Sequence, residues 1–244
     1  METETWKAAA AREAAKLVRD GMVVGLGSGS TVAKLIEALA ELRPDADYIA
    51  ASSSSERLAK ELGLKLTSFE EHQRLDLTID GADEVDPNFD MIKGHGGAHT
   101  REKIIAVAAR KMVVIVDKTK LVRKLGQRFP VPVEVLPFAK DYTMKELAAL
   151  GRPCLKLKDG DPMVTDNGNY LIEVWFKRID NAAKLEEKIN RLPGVIDNGI
   201  FAGLADVVFV GHENGCTVLR DKKGFLNFLK ETEFGGQKRG PKKA

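Results

Sequence analysis

Twice in its first hundred residues the chain runs from a short apolar stretch into a glycine-rich turn and out into a segment of helical period. The first passage is Met22 to Gly25, then Gly25-Leu26-Gly27-Ser28-Gly29-Ser30-Thr31, then Val32, Leu35, Ile36 and Leu39. The second leads into Lys93-Gly94-His95-Gly96-Gly97-Ala98-His99-Thr100 and a helix predicted over 100–110. Strand, glycine turn and helix in that order open a βαβ unit, and few folds accommodate it.

The alternation continues along the first half. Helices are predicted over 6–18 and 54–62, and strands at 48–50, 64–66, 75–79 and 112–116. The last, Met112-Val113-Val114-Ile115-Val116, is the continuous β-branched run of a strand buried on both faces. The pattern predicts an α/β fold, a doubly wound, mostly parallel Rossmann-like sheet with helices on both faces.

Beyond Phe129-Pro130-Val131-Pro132 the order changes. Strand 131–136, helix 140–149, strand 154–158, a hairpin at Asp166-Asn167-Gly168, strand 170–176, helix 180–190 and a strand near 199–203 follow. That βαββαβ order predicts a smaller inserted ferredoxin-like α+β domain. Val207-Val208-Phe209-Val210 then reads as a strand returning to the first sheet. The expected division is 1–129 plus 206–231, with 130–205 inserted. A disordered basic tail is expected over 232–244.

Charge and cysteine content narrow the function. The net charge is +2 and no stretch has the roughly 20 apolar residues of a membrane span, so neither nucleic acid nor membrane is expected as a partner. The N-terminus shows no secretion signal, and Cys154 and Cys216 form no zinc or disulfide pattern. A cytoplasmic protein is expected.

The first glycine turn reads as a phosphate loop. Glycines bring the backbone close to a ligand, and the free N–H groups opening the next helix favour an anion. Ser28, Ser30 and Thr31 add hydroxyls; the alternative is a tight turn whose serine caps the helix. A dinucleotide fingerprint would need glycine at position 30, which is serine, and a P-loop would need a lysine before Ser30. A small phosphorylated metabolite fits better than NAD or ATP.

Asp80-Gly81-Ala82-Asp83-Glu84 follows a predicted strand, where acids face ligands in open α/β sheets, although such a cluster also suits a solvated turn. Lys93 ends another strand, Thr100 is a candidate cap, and Glu102 stands in the first turn of the helix. Glu102 has a structural reading too, as a complement to the helix dipole. Taken together, a carboxylate base, an ammonium and two aspartates meet the needs of an aldose–ketose isomerisation.

These motifs, with Asp117-x-x-Lys120, Phe-Pro-Val-Pro-Val-Glu-Val at 129–135, Val-Thr-Asp-Asn-Gly-Asn at 164–169 and Pro-Gly-Val at 193–195, resemble type A ribose-5-phosphate isomerases. The resemblance spans roughly residues 5 to 220. It implies Glu102 as general base, Lys93 as active-site lysine, and Asp80 and Asp83 as sugar-binding groups that assist ring opening. Ser28, Gly29, Ser30 and Thr31 match the substrate loop, Lys120 a substrate-contacting lysine, and Lys7 a phosphate partner. Gly81, Ala82, Gly94, His95 and Gly96 complete the expected substrate wall. It further implies no cofactor and no metal, a place in the non-oxidative pentose phosphate pathway, and a homodimer or homotetramer.

Three departures stand out. Position 28 is serine where the pattern favours threonine. His95 replaces a glycine, with His99 also unusual, and the extension beyond about residue 221 lies outside the resemblance. A residue other than glycine at 95 is strained if that position needs positive φ. The competing readings are a sugar-phosphate sensor, a related isomerase-deaminase or coenzyme A transferase, and a metal-dependent isomerase using His95 and His99.

Overall fold

A computed structural model describes residues 2–234. In chain order its elements are α1 (Glu2–Ala15), β1 (Val23–Leu26), α2 (Ser30–Leu42), β2 (Asp47–Ala50), α3 (Ser53–Glu61), β3 (Lys65–Leu66) and β4 (Leu77–Asp80). Then come β5 (Glu84–Val85), β6 (Met91–Ile92), α4 (His99–Ala108), β7 (Met112–Asp117), β8 (Val131–Val135), α5 (Lys140–Leu147) and β9 (Arg152–Leu155). The chain continues through β10 (Leu157–Lys158), β11 (Asp161–Pro162), β12 (Tyr170–Trp175), α6 (Ala182–Asn190), β13 (Val195–Asn198) and β14 (Ile200–Phe201). It ends with β15 (Val207–His212), β16 (Gly215–Leu219) and α7 (Lys222–Phe234).

The main sheet has the order β16-β15-β7-β4-β1-β2-β3, parallel except for β16 at one edge. Strands wind one way from β1 to β3 and the other way from β4 through β7 to β15. The reversal lies between β1 and β4, and ligands bind at such a switch point beyond the carboxyl ends of the strands. All six residues of β7 are buried, as its β-branched composition requires. Each Val or Ile withdrawn from water there stabilises the sheet by about 1.5–3 kcal/mol.

Helices cover both faces. Val32, Leu35, Ile36 and Leu39 of α2 recur at helical spacing and bury themselves with the alanines of α1 against one face. Phe225, Phe228 and Leu229 of α7 join Val114, Val116, Val208 and Val210 on the other. The helix expected over 6–18 runs instead over Glu2–Ala15. Glu2 and Glu4 complement its positive end, and Leu17 and Val18 close it with tight bonds to Ala14 and Ala15.

Residues 131–198 contribute a four-stranded antiparallel sheet of order β13-β8-β12-β9, the ferredoxin-like arrangement. Two expected strands are each divided. Leu157–Lys158 leaves 154–158 to pair with Asp161–Pro162. The strand near 199–203 becomes Val195–Asn198 in the four-stranded sheet and Ile200–Phe201 beside β6. Gly199 marks that change of partner, donating its N–H to Pro132 O at 2.7 Å and accepting from Lys93 N at 2.8 Å.

Helix α7 continues to Phe234, so 232–234 are helical rather than part of a tail. The remainder of the expected tail, 235–244, lies outside the described residues. Among the described residues no helix is long and apolar enough to cross a membrane.

Candidate active site

Parallel pairing of β1 with β4 places Gly27-Ser28 and Asp80-Gly81 side by side at the switch point. The Asp80 carboxylate stitches the two turns together. Its Oδ1 accepts from Gly81 N at 2.7 Å and from Ser28 N at 3.2 Å. A Cβ on Gly27 would lie 1.7 Å from Asp80 Oδ1, so only glycine allows this approach.

Lys93 enters from β6, which belongs to a small three-stranded sheet with β5 and β14. Its ammonium meets Asp80 Oδ2 at 2.8 Å, Gly81 O at 2.6 Å and Glu102 Oε2 at 3.1 Å. Glu102 stands in the first turn of α4, with Oε1 accepting from Ser28 Oγ at 2.5 Å. Its Oε2 is paired with the buried Lys93 ammonium.

Two carboxylates thus share one buried ammonium. Burial, and then the charge of Glu102, push the Asp80 carboxyl up to about 7 against the pull of Lys93. For Lys93, burial alone lowers the pKa. The charges of Asp80 and Glu102 outweigh it, and the net shift is upward. The lysine stays an ammonium.

Above this cluster opens a cavity of roughly 150 Å3. Ser28, Gly29, Ser30 and Thr31 form one wall, where α2 begins. Gly29, with φ 88°, precedes the helix and offers no side-chain cap, and no acid occupies the first turn. The serine-capped turn is therefore set aside, and the opening N–H groups of α2 face a place suited to an anion. Lys7 reaches the same wall from α1, donating to Ser30 Oγ at 2.9 Å. Lys120, 4.5 Å from the Phe129 ring centre, lies at the rim.

Gly81, Ala82 and Asp83 supply the floor, and Lys93, Glu102, Gly94, His95 and Gly96 the far wall. Every residue proposed from sequence lines this cavity except Asp80. It lies behind, only 2% exposed and fully engaged by Lys93 and the two turns. That position suits orienting Lys93 rather than meeting sugar hydroxyls.

His95 needs no positive φ. The left-handed positions are Gly94, at φ 94°, and Gly97, at φ 81°, and histidine sits between them unstrained. His99 is buried and donates Nε2–H toward Asp197 O at 3.3 Å, leaving Nδ1 without a partner. The two histidines face different partners. Among the described residues, no group of three or more His, Cys, Asp or Glu could hold a metal.

Thr100 does not cap α4. The helix starts after Ala98 with no side-chain cap, and Thr100 Oγ1 donates to Glu134 instead. Glu134 went unnoticed in the sequence. It is fully buried on β8, accepting also from Thr165, Asn167 and Asn169. Burial raises its pKa, but these four side-chain hydrogen bonds outweigh that and hold it below the ordinary value. A charge amid the apolar run Val131-Pro132-Val133-Glu134-Val135 was the available signal.

Fold and site together define a Rossmann-like α/β enzyme whose buried carboxylates and ammonium share a cavity with the start of α2 at the switch point. The family model for ribose 5-phosphate isomerase A (phosphoriboisomerase A) matches residues 47–215. The chain belongs to that family. Ribose-5-phosphate isomerase A of Trichodesmium erythraeum is 46% identical over 227 residues, covering 89% of this chain and 96% of the relative. That of Thermococcus kodakarensis is 42% identical, covering 88% and 97%. A solved D-ribose-5-phosphate isomerase in complex with phospho-erythronic acid superposes with TM-score 0.88 at 42% identity, covering 90% of this chain and all of the other. The Plasmodium falciparum enzyme superposes at 0.86 with 32% identity, covering 90% and 99%.

Proposed function

We propose that this protein interconverts D-ribose 5-phosphate and D-ribulose 5-phosphate through an enediolate, in the non-oxidative pentose phosphate pathway. The observation that carries the reading is the state of Glu102. One carboxylate oxygen is held by Ser28 and the other faces the Lys93 ammonium, in a cavity shared with the start of α2. The relatives' common activity supports it.

The phosphate sits against the α2 N–H groups and the hydroxyls of Ser30 and Thr31, with Lys7 behind. Binding energy from that remote group positions the reacting carbons. Glu102 carries the proton between C2 and C1, and Lys93 faces the oxygen that gains charge. Asp83, on the cavity floor, binds sugar hydroxyls and assists ring opening, with Gly81, Ala82, Gly94 and Gly96 shaping the wall and Lys120 at the rim. Asp80 holds Lys93 in place. The reading calls for no metal or cofactor.

We also place residues 1–129 and 206–231 in one catalytic unit with 130–205 as the insertion, acting as a cytoplasmic homodimer or homotetramer. The decisive experiment follows ketose formation from ribose 5-phosphate in chelator. Turnover is expected. No turnover with or without metal ions overturns the assignment, and turnover that only metal restores redirects it to metal-dependent isomerisation.

A further inference from the structure

The loop that carries Gly94, His95 and Gly96 along the cavity wall is a tight turn closed by Gly97 N donating to Gly94 O at 2.9 Å. His95 and Gly96 occupy its centre, and the peptides on both sides of His95 are held. On the inner side His95 N–H donates to Asp83 Oδ2 at 3.0 Å. On the outer side Lys156 Nζ donates to His95 O at 2.6 Å.

Lys156 is itself fixed. Its N–H donates to Leu171 O at 2.8 Å, its carbonyl accepts from Met163 N at 2.8 Å, and its ammonium donates to Glu173 Oε1 at 2.6 Å. Glu173 lies on β12, inside the four-stranded sheet. The His95 ring closes the arrangement. Its Nδ1 lies 3.1 Å from that same Glu173 oxygen and 3.2 Å from Lys156 Nζ, and its ring meets Phe129 nearly edge-on at 5.7 Å. Side chains of Lys156 and Glu173 are only 16% and 18% exposed, so solvent screens the pair weakly.

We infer that Lys156 and Glu173 are positioning residues for the isomerisation, acting through His95 on Asp83. The inference rests on the activity proposed above. A cation anchored on one sheet fixes the turn's carbonyl, and the turn's amide fixes the carboxylate facing the sugar. Among the described residues Lys156 is the donor recorded on the His95 carbonyl, so removing it frees that peptide plane. Displacing a substrate-orienting group by about 1 Å lowers rate on the order of 100-fold.

The test is a double-mutant cycle on kcat/KM with ribose 5-phosphate, using Lys156→Met, Asp83→Asn and the pair, with thermal melting as the check of folding. Lys156→Met should lower kcat/KM on the order of 10- to 100-fold in the otherwise unsubstituted protein. In the Asp83→Asn background the same change should alter it by less than about twofold. Where Asp83→Asn is too slow to measure, the cycle is read as dissociation constants for phospho-erythronic acid. A folded Lys156→Met protein with unchanged kcat/KM, or an equal loss in both backgrounds, overturns the inference. Should Lys156→Met not fold, Glu173→Gln takes its place under the same criteria. Failure of the unsubstituted protein to turn over ribose 5-phosphate defeats the activity reading instead.

Discussion

Ser28 Oγ donates to Glu102 Oε1 at 2.5 Å, joining two residues 74 positions apart in the chain. The bond occupies one carboxylate oxygen while the other pairs with Lys93, and in the proposed reaction it orients the base. Ser28→Ala should therefore lower kcat by roughly 10-fold, the loss of one hydrogen bond to a charged group. Ser28→Thr retains the hydroxyl and should stay within about threefold of the parent. Equal kcat for the alanine and serine proteins would show that the bond does not orient the carboxylate.

Glu102→Gln keeps the shape of the side chain and removes its basicity. Turnover should fall about 10²- to 10⁴-fold, the usual contribution of a general base. Affinity for phospho-erythronic acid, measured by calorimetry, should change far less. Near-parental turnover would dismiss Glu102 as the base.

Gly27→Ala tests the close approach of the two turns. The new methyl would overlap Asp80 Oδ1 at 1.7 Å. Either the β1 turn or the carboxylate must move, and Asp80 then releases Lys93. Loss of stability by about 1–3 kcal/mol is expected, with a drop in kcat in whatever fraction folds. Urea unfolding and steady-state rates check the two effects separately, and a protein matching the parent in both would contradict the packing described.

His99 gives a pH test. Burial chiefly lowers its pKa, against the opposing charges of Asp197, Glu134 and Glu102. The unfolded chain therefore binds a proton below its ordinary value near 6.5 that the folded chain refuses. Stability should fall as pH drops below about 6.5, by up to about 1.4 kcal/mol per pH unit, until the folded pKa is reached. His99→Leu should lose this slope. Parallel stability curves for the two proteins between pH 8 and pH 5 would refute the assignment.

Much of the site was readable because its chemistry is local in the chain. The Gly27–Thr31 turn, Asp80–Glu84 and Lys93–Glu102 each combine glycines with reactive groups at a strand or helix end, and all three meet in one cavity. Depth was not readable. Asp80 and Asp83 are three residues apart, yet one is buried against the ammonium and the other lines the cavity, because Asp80 ends β4 while Asp83 lies in the turn that follows it. Partnerships across long stretches were equally hidden. Nothing near Thr100 announces Glu134, and nothing near His95 announces Lys156. Strands of two residues, such as β5, β6 and β14, are too short to show a period, so the small sheet that delivers Lys93 went unread.

Gly199 gives the molecule a schedule. Lys93 N donates to its carbonyl, and its own amide is bonded to Pro132, so the backbone beneath the central ammonium is braced by a residue translated some hundred positions later. A nascent chain that has emerged only as far as β7 already holds Ser28, Asp80 and Glu102, but the brace for Lys93 does not yet exist. Competence therefore arrives late in synthesis, once the inserted sheet has closed over the first half, and a fragment ending before residue 199 should be catalytically silent.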